Sequence, residues 1–255
     1  MTTTNLNSND GKGRLALVTG GSGGIGSEFV DRLCRAGYKV AFVYYKGRAS
    51  ALELEERLKS EGLPVRAIEQ NLEMLDSASR IREALGSFSK EGVSVLVSNA
   101  GCVYRPSDWQ DEAPTDVEKS INLNLRAHIL LTQEFAPDMR GLGWGRLVYV
   151  SSTYGEIGLS PILSYSASKL ALISVCRAMA KELGSFGVTA NCISPGNIAT
   201  EMTNGAGKDV IRWIEESTPV GRLGRVEEIG NALDFILHNP FVNGTNIVVD
   251  GGHKL

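Results

Sequence analysis

No apolar run in this chain approaches the roughly 20 residues a membrane-spanning helix needs. Nor does one sign of charge dominate. The 26 Lys and Arg stand against 29 Asp and Glu, a formal net charge of −3, so the electrostatic footprint of a nucleic-acid binder is missing. Cysteine is scarce and scattered. Cys34, Cys102, Cys176 and Cys192 form no C-x-x-C pair, and with three dispersed histidines they make no metal-ligand pattern. No metal site is expected, and a reducing cytosol is the expected compartment. Met1–Gly13 is polar and lacks the apolar segment of a secretory signal, which reads as a short, loosely ordered tail. No repeat, low-complexity stretch or linker divides residues 14–255, which therefore read as a single domain with room for a full core.

What is present is an alternation. The β-rich runs are Leu15–Thr19, Val40–Tyr44, Val65–Glu69, Val93–Val97, Arg146–Ser151, Thr189–Ile193 and Asn246–Val249. Between them, apolar positions recur at helical spacing over Ser27–Ala36, Ala49–Ser60, Asp76–Ser89, Val117–Met139, Ser166–Phe186 and Glu227–His238. This order predicts an α/β fold, a Rossmann-type doubly wound parallel sheet of about seven strands with helices on both faces. Thr200–Arg225 breaks the pattern. There Gly205, Gly207, Pro219, Gly221 and Gly224 surround a short helical stretch, Val210–Glu216, a candidate lid.

Two constellations carry chemistry. Thr19-Gly20-Gly21-Ser22-Gly23-Gly24-Ile25-Gly26 joins the first strand to a helix, so backbone N–H groups and the helix N-terminus can face a pyrophosphate. Taken alone, such a turn also serves as a plain tight connection. Where a carboxylate would hold a ribose 2′-OH, roughly twenty residues on, the chain has Tyr44-Tyr45-Lys46-Gly47-Arg48. It offers two cations and no acid, which favours NADP(H), the alternative being a solvated loop. The second constellation is Ser152, Tyr165 and Lys169. Four residues apart on a helix, Tyr165 and Lys169 share a face, and an ammonium beside a phenol favours phenolate. A nearby serine hydroxyl can hold a substrate oxygen while the phenol gives or takes a proton.

With these motifs in this order, the chain resembles the short-chain dehydrogenase/reductase superfamily from Arg14 to Gly252. The resemblance is also carried by Asn99-Ala100-Gly101, Asn124, Ser151-Ser152, Tyr165-Ser-Ala-Ser-Lys169, Pro195-Gly196, Thr200-Glu201-Met202 and Val249-Asp250-Gly251-Gly252. Length and C-terminal pattern look like 3-oxoacyl-[acyl-carrier-protein] reductases and related ketoreductases. The resemblance implies NADPH-dependent reduction of a 3-oxoacyl thioester on acyl carrier protein or CoA, in fatty-acid, polyketide or related biosynthesis. A sugar, polyol, steroid or other secondary alcohol remains the alternative, as does a weakly active NADP-binding partner subunit. It further implies a homo-oligomer, tetramer or dimer, built on the helices that carry Asn124 and Tyr165.

The implied roles follow by position. Ser152 holds the carbonyl, Tyr165 is the acid or base, Lys169 lowers the Tyr165 pKa and bonds the nicotinamide ribose, and Asn124 anchors a water of the proton relay. Gly20, Ser22, Gly23, Gly24 and Ile25 form the phosphate turn, while Tyr45, Lys46 and Arg48 meet the ribose end. Asn71, Leu72, Asn99, Ala100 and Gly101 line the cofactor cleft. Pro195 and Gly196 flank the nicotinamide face, and the backbone of Ile198 and hydroxyl of Thr200 meet its carboxamide or the phosphates. Ile162 and Met202 join Ser152 and Tyr165 around the substrate.

Some positions depart from the family pattern. Gly23 stands where NADP-dependent relatives often carry Arg, and Ile162 where Gln is common. Gly143 and Phe186 replace the two arginines that dock an acyl carrier, with Arg140, Arg146 and Lys181 close by as substitutes. Cys102 reads as an inert thiol, and His128, His238 and His253 as structural or surface groups. Trp213 and Ile214 either cover a substrate or pack the lid helix onto the body.

Overall fold

The computed structural model describes residues 11–204 and 207–255, leaving out the side chains of Ser89, Met202 and Asn204. Most of the expected tail, residues 1–10, lies outside the described residues, as do Gly205 and Ala206 in the candidate lid. Residues 11–13 already belong to the fold, since the Gly13 N–H donates to the Gly37 carbonyl at 2.9 Å.

Seven parallel strands, β1 (Leu15–Thr19), β2 (Lys39–Tyr44), β3 (Val65–Glu69), β4 (Val93–Ser98), β5 (Gly145–Val150), β6 (Val188–Pro195) and β7 (Asn246–Val249), form a single sheet. Their order is β3-β2-β1-β4-β5-β6-β7. Strands buried on both faces read as continuous apolar runs, and successive side chains alternate between the faces. Leu15 and Leu17 of β1 therefore enter a core with Ile81, Leu131, Phe135 and Leu172. Ala16 and Val18 enter the opposite one, with Phe29, Leu33, Leu54 and Leu233.

The first core lies under α3 (Ser77–Leu85), α5 (Ala127–Leu142) and α7 (Leu163–Leu183). The second lies under α1 (Gly24–Arg35), α2 (Arg48–Ser60) and α10 (Val226–His238). The chain reverses direction across the sheet between β1 and β4, and an open α/β sheet binds its ligands at the strand C-termini of such a switch point.

The structure corrects the sequence reading of the helices at three places. The expected single helix over 117–139 is longer and interrupted: α4 (Pro114–Ile121) passes through a π-helical turn, Asn122–Arg126, before α5. A short helix, α6 (Thr153–Ile157), directly follows Ser152 and had no periodicity to announce it. The candidate lid holds two helices, α8 (Glu201–Asn204) and α9 (Lys208–Ser217). Its base is clamped where Ala199 N–H donates to the Gly224 carbonyl at 2.8 Å and Gly224 N–H to the Asn197 carbonyl at 2.9 Å.

Candidate active site

At the glycine turn, Gly20 sits at φ +64°, a left-handed conformation that side chains rarely adopt. A Cβ on Gly26 would lie 2.0 Å from the Gly20 carbonyl oxygen, so any side chain there would force the turn and the helix apart. Helix α1 starts with no side-chain cap and no acid in its first turn, which leaves its leading N–H groups for an anion. The turn is stapled to the end of β4. Thr19 Oγ1 accepts the Asn99 and Ala100 N–H groups at 2.9 and 3.0 Å, and Asn99 Nδ2 donates back to the Thr19 carbonyl at 2.9 Å. Asn99 thus shapes the cleft by spending its amide on the turn.

A cavity of about 470 Å³ runs along the strand ends, a size typical of small-molecule and cofactor sites. Every cofactor residue expected from the sequence lines it except Arg48. The Arg48 guanidinium is exposed and paired with Glu69 at 3.0 Å, and Glu69 also accepts the Tyr44 hydroxyl at 3.2 Å. Lys46 lines the cavity without an ion-pair partner among the described residues. The glycine turn, the uncapped helix and the cavity together fit a dinucleotide, with Lys46 at the end that would meet a 2′-phosphate.

Three of the four catalytic candidates, Ser152, Tyr165 and Lys169, line the same cavity, and Asn124 lies buried behind it. Ser152 caps α6, its Oγ accepting the Tyr154 N–H at 3.2 Å, and its hydroxyl lies close enough to the Tyr165 phenol to favour the ionised form. Helix α7 starts three residues before the expected Ser166 because the Glu112 carboxylate takes both the N–H and the hydroxyl of Ser164. This firm start puts Tyr165 inside the first turn. The Lys169 ammonium is buried and donates to the Val150 carbonyl at 2.8 Å. It lies over the Tyr165 ring, 5.8 Å from the centroid.

One electrostatic expectation is corrected. Burial pushes the Tyr165 phenol above its ordinary pKa, and neither the Ser152 hydrogen bond nor the nearby Arg105 charge offsets it. Burial also pulls Lys169 down to about 8, which weakens the ammonium as a stabiliser of phenolate.

Asn124 is fully buried in the π-helical turn. Its Oδ1 accepts the Cys102 N–H at 2.8 Å, and its Nδ2 donates to the Cys102 carbonyl at 2.9 Å and to Ser168 Oγ at 3.2 Å. Any water would have to be held by its main chain, because its amide is committed to the loop after β4 and to α7. His128 lies beneath the same loop, with Nε2 at 2.8 Å from the Ala100 carbonyl. Burial and the neighbouring Lys169 charge depress its pKa to about 3, so it is neutral.

The substrate side was read less well. Ile162 is buried in the turn before α7 and does not line the cavity. The side chain of Met202 lies outside the described residues. Residues the sequence reading did not assign, among them Glu73, Tyr104, Leu123 and Thr203, line the cavity instead. Tyr104 had a signal, standing three residues past the Asn99-Ala100-Gly101 turn. Cys102 lines the cavity too, and burial raises its thiol pKa, as suits an inert group. Of the three cations near the missing docking arginines, Arg146 is buried against Trp144, whereas Arg140 is exposed and stacks on Phe186 at 4.2 Å. No group of His, Cys, Asp and Glu among the described residues could hold a metal ion.

Comparison with known proteins gives this geometry its relatives. A family model described as short chain dehydrogenase matches residues 14–210. The acetoacetyl-CoA reductase of Rhizobium meliloti is 35% identical over 246 residues, covering 94% of this chain and 98% of the relative. The 3-oxoacyl-[acyl-carrier-protein] reductase FabG of Aquifex aeolicus is 31% identical over 243 residues, covering 94% and 97%. Among solved structures, a gluconate 5-dehydrogenase from Burkholderia cenocepacia J2315 in complex with NADP and tartrate superposes with a TM-score of 0.88. It is 27% identical, with 98% of each chain covered.

Proposed function

The chain belongs to the short chain dehydrogenase family, and from that premise we propose that it is an NADPH-dependent ketoreductase acting on a 3-oxoacyl thioester. The observation that carries this reading is the convergence of Ser152, Tyr165 and Lys169 on one cavity with the glycine turn and Lys46. When bound, NADPH supplies the hydride. The protein's residues do the rest. Ser152 holds the carbonyl oxygen, and Tyr165, with its pKa raised by burial, is kept protonated as the acid for reduction. Lys169 orients the ribose and, while charged, stabilises the phenolate left behind. Asn124 fixes the loop after β4 against α7, so that Gly101 and Lys169 keep their spacing.

Two relatives named as reductases of acyl-carrier-protein and CoA thioesters support the substrate class. Exposed Arg140 and Lys181 would take over docking of the acidic carrier. A homo-oligomer is part of the proposal, supported by apolar Val117 on α4 and Leu163 and Leu170 on α7, all left exposed. The gluconate 5-dehydrogenase likeness favours a second reading, a polyhydroxy acid as substrate. NADPH consumption is to be measured with acetoacetyl groups on CoA and on holo acyl carrier protein. Turnover on both supports the thioester reading. Binding of NADPH with turnover of neither removes it.

A further inference from the structure

His128 of α5 is fully buried beneath the loop after β4 and has no part in the proton transfer. Its Nε2 lies 2.8 Å from the Ala100 carbonyl oxygen. A carbonyl can only accept, so Nε2 carries the proton of the neutral ring and Nδ1 is a bare acceptor. Nδ1 has no partner among the described residues, and burial with the Lys169 charge keeps the ring neutral. His128 is thus one donor aimed at one oxygen.

That oxygen belongs to a peptide with two possible settings. Gly101 follows Ala100, and glycine lets the peptide before it turn over at little steric cost. The peptide is trans, so its C=O and the next N–H point opposite ways. With the Ala100 carbonyl drawn down to His128, the Gly101 N–H points away from the core. Gly101 lines the cavity, and its N–H has no acceptor among the described residues. The reverse setting would aim that N–H at a protonated Nε2, which cannot accept it. On the other side, the Ala100 N–H is fixed on Thr19 Oγ1 at 3.0 Å. The space is tight, since a Cβ on Gly101 would lie 3.0 Å from Asn124 Oδ1 and 3.2 Å from Lys169 Nζ.

We propose that His128 is a positioning residue for the dinucleotide. Its hydrogen bond sets the Ala100–Gly101 peptide so that the Gly101 N–H faces the cavity and donates to an oxygen of the bound cofactor. The proposal rests on the dinucleotide half of the reductase reading and not on its substrate. An apolar side chain at this position would leave the carbonyl unbonded and the peptide free to turn. A glutamine amide would supply the same kind of donor.

The test titrates NADPH and NADH calorimetrically into the wild type, His128→Leu and His128→Gln. Thermal denaturation, KM for NADPH and kcat on acetoacetyl-CoA are measured beside it. His128→Leu should weaken both cofactors about tenfold, because the contact does not involve the 2′-phosphate, and His128→Gln should stay within about threefold of the wild type. In His128→Leu, KM for NADPH should rise with the loss of affinity, while kcat at saturating NADPH falls less. A His128→Leu protein that melts earlier yet binds NADPH as the wild type does would overturn the proposal. So would a His128→Gln protein that binds as weakly as His128→Leu. His128→Met replaces the leucine variant if that does not fold. If neither apolar variant folds, His128 serves the fold alone and the proposal falls. Affinities in the expected ratios without turnover of any ketone keep the positioning role and remove the reductase reading. A wild type that binds neither cofactor overturns both.

Discussion

The floor of the cavity and the cluster of rings near its edge are built differently. On the floor, Asn124 spends its whole amide on Cys102 and Ser168, Lys169 is buried on the Val150 carbonyl, and Ser151 Oγ ties to the Lys169 carbonyl at 2.7 Å. In that cluster, α9 carries Trp213 half exposed and buries Ile214 alone, and the neighbouring His253 and Asn197 keep unpaired polar atoms. A network satisfied throughout holds reacting groups in one geometry. A helix with few buried contacts, as α9 is, sits at the low-stability end of a fold. The catalytic candidates thus sit where the chain is most constrained.

The sharpest way to break that contrast is to remove the acid. Tyr165→Phe deletes the proton donor from a floor that otherwise keeps its bonds. Its kcat should fall about 10²–10⁴-fold, with NADPH affinity by fluorescence titration nearly unchanged. Next in size is Asn124→Ala, which strands the N–H and carbonyl of Cys102. Chemical denaturation should reveal a loss of about 2–4 kcal/mol. A substitution on the exposed face of α9, such as Arg212→Ala, should stay within about 0.5 kcal/mol.

The cofactor end sharpens the comparison further. Lys46→Ala should weaken NADPH about 10- to 100-fold, the worth of a charge-assisted bond to phosphate, and NADH far less. Arg48→Ala should cost under about threefold, because its guanidinium is exposed and tied to Glu69. Calorimetric titration of each cofactor reads both.

A further effect is set by pH. The Lys169 pKa of about 8 lies below the 10.5 of a free lysine. Between those values the unfolded chain binds more protons than the folded one, so stability rises with pH across that window. Activity should move the other way, falling about fivefold from pH 8 to 9 as the ammonium is lost. Opposite trends in kcat and Tm above pH 8 would identify Lys169 as their common source.

Much of the floor was legible in the sequence, because its chemistry demands particular residues at fixed spacing. The glycine turn, Ser152, Tyr165, Lys169 and all seven strands stand within a residue or two of where pattern put them, and Asn124 reaches the same loop. The π-helical turn was not legible, since its apolar periodicity continues that of α4 and α5. Arg48 lies off the cavity, paired with Glu69 at the end of the neighbouring strand twenty-one residues on, a contact that sequence spacing does not reveal. The raised Tyr165 pKa escaped for a similar reason. Sequence spacing brings Lys169 near but cannot weigh burial against charge. The cluster of Tyr154, Asn197, Trp213 and His253 was the least legible part, because its members meet only through the fold.

The account is tested most directly by following a labelled hydride. Wild-type protein and Tyr165→Phe are incubated with acetoacetyl-CoA and deuteride-labelled NADPH, and the products are read by mass spectrometry. The account predicts one deuterium at C3 of the hydroxyacyl product from the wild type and almost no product from Tyr165→Phe. Equal labelled product from both proteins, or none from the wild type under conditions where it binds NADPH, would contradict it.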